Sequence, residues 1–469
     1  MGNESIHNGL PTTVEASPDA SRLKAISTDV LSLYQRLLPN EYFEQLRYRG
    51  TLYENNRVYN AAVVMWLMIH QRLHCGSMAS SVLELICGLP STFWPRPCRR
   101  LQVEAEGHRR LSANTASYDD ARQGLALKVV EASLDRAVEG LLGGVGEGGQ
   151  TVVLDGTSQR LQHNEEMCRA YAPASNQHGD SHWPVLRVLV AHDLDTGIAL
   201  RPQWGPMYGP QAVSEQSLFE ALLDRLSPRS TVLADINFGV FSVAYGADQR
   251  GHRVLLRLQE VRAKRLLGGQ PLRDGIDQRV PWRPSRDDRR HHPQWLEDAC
   301  VVGRVIVRQV QPSNGGEPFL LALFTTLEEP AEALVDRYGK RWNIELDLRT
   351  LKSTMQLDQL TCTSPEMVGK EILMGMLAYN LVRAVTFVAA QAAGIQPRAF
   401  SFTQVRNVIN AFAPRIAAAQ TPEEAQRLYE DMLYYTSRAQ LPKRKKPRDS
   451  YPRAVWGRGE RFPRRRNPA

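Results

Sequence analysis

The stretch YGKRWNIELDLRTLK, residues 338–352, decides how the rest of the chain is interpreted. It contains no proline and only one glycine, near its start, so its composition predicts a helix. Its polar residues recur at intervals that place them along one face at 3.6 residues per turn. They are Tyr338, Arg341, Glu345 and Lys352. The carboxylate on this face suits a divalent metal and the cations suit phosphate. For an isolated helix, an exposed face with ordinary charge pairs explains the same pattern.

Two further acidic residues each follow a short strand-like run. Asp155 ends the run from Thr151, and Asp235 ends the run from Thr231. Between them lie two more strand-like segments joined by a turn signal, and then a helical pattern, at 185–192, 198–204 and 215–226. In a fold of this β-β-β-α-β order, the first and fourth strands are neighbours and the two carboxylates would meet. For either aspartate alone, a polar residue at a strand end is an equally simple explanation.

The spacing Y-(2)-R-(3)-E-(6)-K in 338–352 resembles the signature of the insertion-sequence 4 family of DDE transposases. The runs Thr151–Thr157 and Val232–Gly239 resemble the two strands that carry the aspartates of this family, and 112–122 resembles the segment before its catalytic domain. The resemblance implies an α/β fold: a ribonuclease-H-like catalytic domain with a mostly β insertion, preceded and followed by α-helical regions.

The resemblance also implies a chemistry, which is metal-dependent cleavage at transposon ends and strand transfer into target DNA. Asp155, Asp235 and Glu345 would be the catalytic residues and would bind two Mg²⁺ ions, for which Mn²⁺ can substitute. Asp155 would bridge both ions. The implied partners are double-stranded DNA, as terminal inverted repeats and target, and a second copy of the chain in the DNA synaptic complex.

Three residues of the 338–352 stretch are expected to bind DNA phosphate. Arg341 gives a bidentate hold, Lys352 a point charge, and Tyr338 a hydroxyl donor. In the long segment between Asp235 and Glu345, Trp282 and Trp295 flank an Arg- and His-rich arm and are candidates for stacking on an extruded base. An ordinary packing role for both tryptophans is at least as good an explanation.

Two other functions remain open at this point. One is a nuclease of the same fold without strand transfer, against which the long insertion argues. The other is a DNA-binding protein that has lost catalysis, against which the presence of all three carboxylates argues.

Composition limits the class of protein. Of 469 residues, 42% are hydrophobic, which is typical of a globular chain. The longest apolar run, 61–69, is too short to cross a bilayer, and the N-terminus lacks the pattern of a secretory signal, so we expect a cytoplasmic protein. The six cysteines form no CxxC pair, which argues against a zinc site and a disulfide framework.

The positive charge is concentrated at the C-terminus. Residues 438–469 contain twelve Lys and Arg and two acids, a net charge of +10, which leaves the rest of the chain at about −2 of the total +8. A tail of this density suits DNA, although a solubilising tail has the same composition.

Composition shifts, together with what the family resemblance implies, divide the chain into six expected regions. They are a disordered segment (1–22), an α-helical DNA-binding region (23–142), a catalytic domain (150–245 and 326–400), a β-rich insertion (246–325), C-terminal helices (401–437) and the basic tail (438–469).

Overall fold

The computed structural model describes residues 29–48, 51–52, 57–143, 149–176, 179–311 and 317–442. The segment predicted to be disordered, 1–22, and residues 443–469 of the basic tail lie outside these ranges.

The described chain up to residue 143 is mainly helical. Its helices are α1 (Val30–Leu37), α2 (Asn40–Gln45), α3 (Ala61–His74), α4 (Met78–Gly88), α5 (Arg99–Ala105), α6 (Ala116–Gly124) and α7 (Leu127–Leu142). A short antiparallel pair, β1 (Arg47–Tyr48) and β2 (Thr51–Leu52), interrupts them. Side chains define the helix starts: the Asn60 side chain accepts a hydrogen bond from the Val63 amide at 2.9 Å and caps α3.

The centre of the molecule is a nine-stranded sheet in the described residues. Its strands are β3 (Thr151–Arg160), β4 (Pro173–Asn176), β5 (Gly179–Asp193), β6 (Gln203–Pro206), β7 (Thr231–Ala234), β8 (Arg253–Arg257), β9 (Asp277–Trp282), β10 (Val301–Val310) and β11 (Phe319–Thr325). The order is β4-β5-β3-β7-β8-β11-β10-β9, and β6 also pairs with β5. The pairs β3–β7 and β7–β8 are parallel.

The remaining helices either lie between strands in the chain or follow the last strand. They are α8 (Glu165–Ala170), α9 (Glu215–Leu223), α10 (Phe241–Asp248), α11 (Glu260–Leu266), α12 (Arg286–His291), α13 (Ala331–Gly339), α14 (Asn343–Arg349), α15 (Pro365–Ala393), α16 (Phe402–Ala417) and α17 (Pro422–Arg438).

Helix α15 is the central support of the fold. It is the one described helix long and apolar enough to cross a membrane, but 89% of its most apolar window is buried inside the protein, so core packing explains its composition. Asn380 on α15 donates to the Ala199 carbonyl at 2.8 Å and accepts from the Ala199 amide at 2.7 Å. This asparagine therefore has a structural role, since it joins α15 to the segment that follows β5.

Alternation along the central strands separates two hydrophobic clusters. Val153 and Leu233 belong to a small cluster that includes Ile344 of α14, while the residues on either side of them belong to the main core. Successive side chains of a strand point to opposite faces, so Asp155 shares the face of Val153 and Asp235 that of Leu233. Both aspartates therefore lie on the face covered by α13 and α14.

The segment predicted to be a separate β insertion differs in one respect from that expectation. Strand β8 was assigned to it, but β8 is hydrogen-bonded in parallel to β7, with Val232 opposite Val254. Strands β11, β10 and β9 continue the same sheet beyond β8. The physical reason is that β8 is buried along its centre and needs a partner on each side.

Candidate active site

The two predicted aspartates lie at the ends of neighbouring parallel strands. Pairing runs from Thr151 opposite Thr231 to Val153 opposite Leu233, and this offset of 80 residues also separates Asp155 from Asp235. The Asp155 carboxylate accepts from the Gly156 amide at 2.8 Å. Burial and, next, the negative charge of Asp235 raise the pKa of Asp155 to about 6, against the opposing effects of the Gly156 hydrogen bond and the Arg341 charge. The structure thus brings these two carboxylates together.

The 338–352 stretch is helical but is not one regular α-helix, which corrects the prediction. Helix α13 ends at Gly339, a 3₁₀ turn covers Lys340–Trp342, α14 follows, and a π-helical turn covers Thr350–Thr354. Tighter and wider turns shift the angular positions of side chains, so even spacing in the sequence does not give one straight face.

Arg341 and Glu345 form an ion pair within this stretch. The Arg341 Nη2 and Glu345 Oε1 atoms are 3.4 Å apart, and the Arg341 guanidinium also lies 5.3 Å from the centre of the Trp342 ring. The Arg341 side chain is largely buried, whereas 37% of the Glu345 side chain is exposed. In this conformation the guanidinium contacts the protein's own carboxylate.

Tyr338 lies beside the same group. Its hydroxyl is buried and, among the described residues, has no hydrogen-bond partner of good geometry. Burial raises the pKa of Tyr338 to about 12, against the charges of Arg341 and Arg257. A contact between this hydroxyl and phosphate, as predicted, requires the hydroxyl to become accessible.

Lys352 is one of the residues that line a groove of about 570 Å³. Arg160, Trp183 and Asp358 are among the residues that line the groove. Burial lowers the pKa of Lys352, while Asp358 and Asp155 raise it. The ammonium therefore acts on Asp155 electrostatically and also faces a space open to a ligand.

The tryptophan prediction is wrong for Trp282. Only 5% of its surface is exposed, and it packs edge-on against Phe324 at 4.6 Å between ring centres, so it is a core residue. Trp295 is half-buried, packs against Phe241 and stacks on His292 at 4.1 Å. Trp342, next to Arg341, is 63% exposed, and Trp183, which lines the Lys352 groove, is 40% exposed.

Sequence reasoning missed Glu215, the first residue of α9. A side-chain carbon added to Gly156 would lie 2.0 Å from Glu215 Oε1, so this carboxylate rests directly on the residue after Asp155. Burial raises the pKa of Glu215, Arg187 opposes this, and Asp235 adds to it. An acid in the first turn of a helix is so common that the sequence offered no signal.

Sequence reasoning also missed a buried polar network around Asp347 of α14. Its carboxylate accepts from Tyr379 at 3.0 Å and from Arg398 at 2.5 Å, and lies 3.1 Å from His192 Nδ1. Burial lowers the pKa of His192, so the neutral ring donates to Asp347 and Arg398 supplies the balancing charge. Since His192 pairs with Val153, this network ties the Glu345 helix to the Asp155 strand.

The carboxylates of Asp155, Asp235 and Glu345 fit a divalent metal by their chemistry, but the three side chains do not converge on one point in this structure. Oxygen ligands suit Mg²⁺, and a cation would relieve the repulsion between Asp155 and Asp235. In the described part of the chain, however, no three His, Cys, Asp or Glu side chains are grouped to hold a metal. The predicted convergence of three carboxylates is therefore met by two, because Glu345 faces Arg341.

The family described as "Transposase DDE domain" matches residues 146–381, just over half of the chain and the whole segment that carries the site. The chain belongs to the DDE transposases. Transposase InsG for insertion sequence element IS4, from Escherichia coli (strain K12), is 23% identical over 318 residues, which cover 66% of this chain and 69% of that protein.

A solved structure is also similar at low identity. The cryo-EM structure of the piggyBac transposase synaptic complex with hairpin DNA covers 90% of this chain, and 87% of that chain is covered, at 11% identity and a TM-score of 0.39.

As a member of the DDE transposases, the protein is a DNA transposase of the insertion-sequence 4 family. The activity of the family is cleavage and strand transfer of DNA, and its members generally use divalent metal ions. The resemblance stated from the sequence is therefore confirmed at the level of family and function.

Proposed function

We propose that this transposase cuts at the terminal inverted repeats of its own element and joins the freed ends to target DNA. The observation that carries the proposal is the register of β3 and β7, which sets Asp155 beside Asp235 on the face covered by the Glu345 helix. We further propose that β3, β5, β6, β7 and β8 form a ribonuclease-H-like core. The parallel pairing of the first and fourth strands supports this assignment.

The proposed roles follow from the chemistry of each side chain. Asp155, Asp235 and Glu345 would together hold two Mg²⁺ ions, for which Mn²⁺ can substitute. When bound, the ions supply activation of the nucleophile and stabilisation of the leaving oxygen. For Glu345 to join the aspartates, its ion pair with Arg341 at 3.4 Å must open.

Once this ion pair opens, Arg341 needs another negatively charged partner. A DNA phosphate that takes the place of the Glu345 carboxylate keeps the guanidinium paired and frees Glu345 for the metal. Lys352, at the groove beside Asp155, holds a second phosphate. Phosphate binding and completion of the carboxylate set are thereby coupled, so cleavage would begin only on engaged DNA.

Base stacking is better supplied by Trp342 than by the tryptophans proposed from the sequence. Its ring is largely exposed and lies beside Arg341. The hydroxyl of Tyr338 would bind phosphate after this segment rearranges.

The assembly that we propose is a homodimer on paired DNA ends, in the bacterial cytoplasm at the nucleoid. The helical region before residue 143 would contact the terminal repeats, the strands after β8 would extend the DNA-binding surface, and the basic tail would bind flanking phosphate.

The experiment uses a plasmid that carries the DNA flanking this gene. Purified wild-type protein with Mg²⁺ is expected to cut at two defined ends, and Asp155→Asn, Asp235→Asn and Glu345→Gln are each expected to lose cleavage while retaining DNA binding. Retained cleavage in one variant removes that residue from the proposed site.

The products of the same assay separate the remaining functions. Joined products support a transposase that completes strand transfer, and cut but unjoined ends indicate a nuclease-like activity. Binding of the ends without cleavage by any variant, wild type included, would indicate loss of catalysis.

A further inference from the structure

A carboxylate approaches the aspartates from the face of the sheet opposite to the Glu345 helix. It belongs to Glu215, at the first turn of α9. Two contacts fix this turn: Ser214 Oγ accepts from the Ser217 amide at 3.0 Å, and Gln216 donates to the Asn237 carbonyl at 2.9 Å. The second contact ties α9 to the loop that Asp235 begins, so Glu215 is held beside the strand ends.

Gly156 provides the opening through which Glu215 reaches the site. By strand alternation, position 156 faces away from the side of Asp155. Any side chain there would collide with Glu215, since an added carbon would lie 2.0 Å from Oε1. Pairing between β3 and β7 ends at Val153 and Leu233, so the two strands are not joined where this carboxylate lies.

The Glu215 carboxylate is not neutralised by a direct partner. Within the described ranges it accepts no hydrogen bond and forms no ion pair, and Arg187 acts on its charge without direct pairing. A half-buried anion beside another carboxylate is unfavourable unless a cation compensates it. The divalent metal ion that DDE transposases generally use would be such a cation.

We propose that Glu215 is a fourth carboxylate of the active site and supplies an oxygen ligand to the divalent metal held by Asp155 and Asp235. The inference rests on the proposed function, because it requires the metal to bind between the two aspartates. Since these three side chains do not yet form a metal-holding group, the Glu215 side chain must rotate toward the aspartates when the metal binds. The Glu215 carboxylate would raise the affinity of the DNA-free protein for the metal, while Glu345 is still paired with Arg341.

The test measures Mn²⁺ binding to the full-length protein without DNA, by electron paramagnetic resonance and calorimetry. Glu215→Gln is expected to weaken Mn²⁺ binding by roughly tenfold or more, the range found when groups supporting a metal site are removed. The matched control is Glu220→Gln, an exposed acid on the same helix, which is expected to bind Mn²⁺ like wild type. Thermal unfolding in a chelator is expected to show that neither variant is destabilised.

Asp155→Asn separates failure of this inference from failure of the proposed site. Loss of Mn²⁺ binding in Asp155→Asn together with wild-type binding in Glu215→Gln would overturn the fourth-carboxylate assignment alone. Wild-type binding in both variants would overturn the proposed metal site and the inference with it.

Gly156→Ala provides an independent perturbation. The atom that the new methyl group meets is the end of a flexible side chain, so the protein is expected to fold with Glu215 displaced. Mn²⁺ affinity should then fall, and the double variant Gly156→Ala/Glu215→Gln should bind no more weakly than Glu215→Gln alone. Fully additive losses would show that Gly156 does not act through Glu215.

Discussion

At the scale of single residues, Asp155 determines the pH dependence of the site. Burial and the neighbouring Asp235 charge raise the pKa of Asp155 to about 6, so the carboxyl is largely protonated at pH 5 and largely ionised at pH 7. A protonated carboxyl is a poor metal ligand. Mn²⁺ affinity should therefore rise as the pH increases from 5 to 7, which calorimetry across this range would measure.

The raised pKa of Asp155 also makes the stability of the metal-free protein depend on pH. Because the folded pKa of Asp155 is about 6 against an ordinary value of 3.8, the folded state disfavours the ionised form. Stability is therefore lost as the pH rises between these two values, and Asp155→Asn should recover about 1–2 kcal/mol at pH 7 after allowance for solvent screening. Urea unfolding in a chelator would measure this, and a variant less stable than wild type at pH 7 would contradict it.

Arg341 is the residue at which folding and DNA binding can be separated. Its pair with the partly exposed Glu345 should contribute about 1 kcal/mol or less to stability. A charge-assisted bond to phosphate is worth about 1.5–3 kcal/mol, so Arg341→Ala should weaken binding of an end-containing oligonucleotide at least tenfold. Fluorescence anisotropy would measure binding, and circular dichroism would follow thermal unfolding.

Arg337→Ala is the matched control for this prediction, because Arg337 lies one turn earlier and pairs with Glu329. Its DNA affinity should stay near the wild-type value. An Arg341→Ala protein that is unfolded in circular dichroism would show that the guanidinium is mainly structural.

At the scale of elements, the network around Asp347 holds the Glu345 helix against the sheet. Asp347 is buried and joins α14 to β5, α15 and Arg398. Its removal leaves His192, Tyr379 and Arg398 without their common partner. Asp347→Ala should therefore cost about 3–5 kcal/mol of unfolding free energy, as expected for breaking a buried charge pair.

Denaturant unfolding would measure this cost, with Asp336→Ala as the control. Asp336 is exposed on α13, and its loss should change stability by less than about 0.5 kcal/mol. Similar stabilities for the two variants would show that water replaces Asp347 without loss.

The elements show what the sequence could and could not predict. Strand β3, strand β7 and their shared aspartate position followed from β-branched runs that end in an acid, which is local information. The assignment of β8 to a separate insertion failed because a buried strand carries no mark of its partner. Pro414 lies inside α16, which continues to Ala417. Proline lacks one donor, and the rest of the last turn can still form.

The missed site residues share a physical reason. Glu215 matters because it lies against Gly156, and Asp347 because it lies beside His192. These partners are 59 and 155 positions away in the chain. Neither spacing nor helical periodicity encodes such contacts. Trp282 illustrates the converse, because its place beside an Arg-rich arm suggested exposure while its strand position buried it against Phe324.

At the scale of the whole molecule, the helical region and the sheet share one core. A single cluster of buried residues includes Val30 of α1, the central strands and Ala439 near the described C-terminus. Helix α15 joins them through contacts with α3 and α7. The boundary predicted near residue 142 therefore divides the sequence but not the core. We expect DNA binding by the helices before this boundary to affect the active site.

The basic tail is where the structure sharpens a whole-molecule prediction. The tail was predicted to begin at residue 438, but Gln440 pairs with Phe400, and the Leu441 amide donates to Ala399 at 2.7 Å. A deletion that starts at 438 would therefore damage the fold. The informative deletion is 443–469, which removes eleven Lys and Arg and two acids.

Deletion of 443–469 should lower the salt dependence of DNA binding while leaving thermal stability unchanged. Each phosphate neutralised by a cation contributes about −0.9 to the slope of log K against log salt, so the slope should fall in magnitude by several units. Replacement of the cluster 443–446 by serine, as a control of equal length, should give an intermediate slope. The slope reports how many phosphates the protein neutralises, independently of the affinity at any one salt concentration. A slope equal to that of wild type would therefore mean that the tail binds no DNA and only keeps the protein soluble.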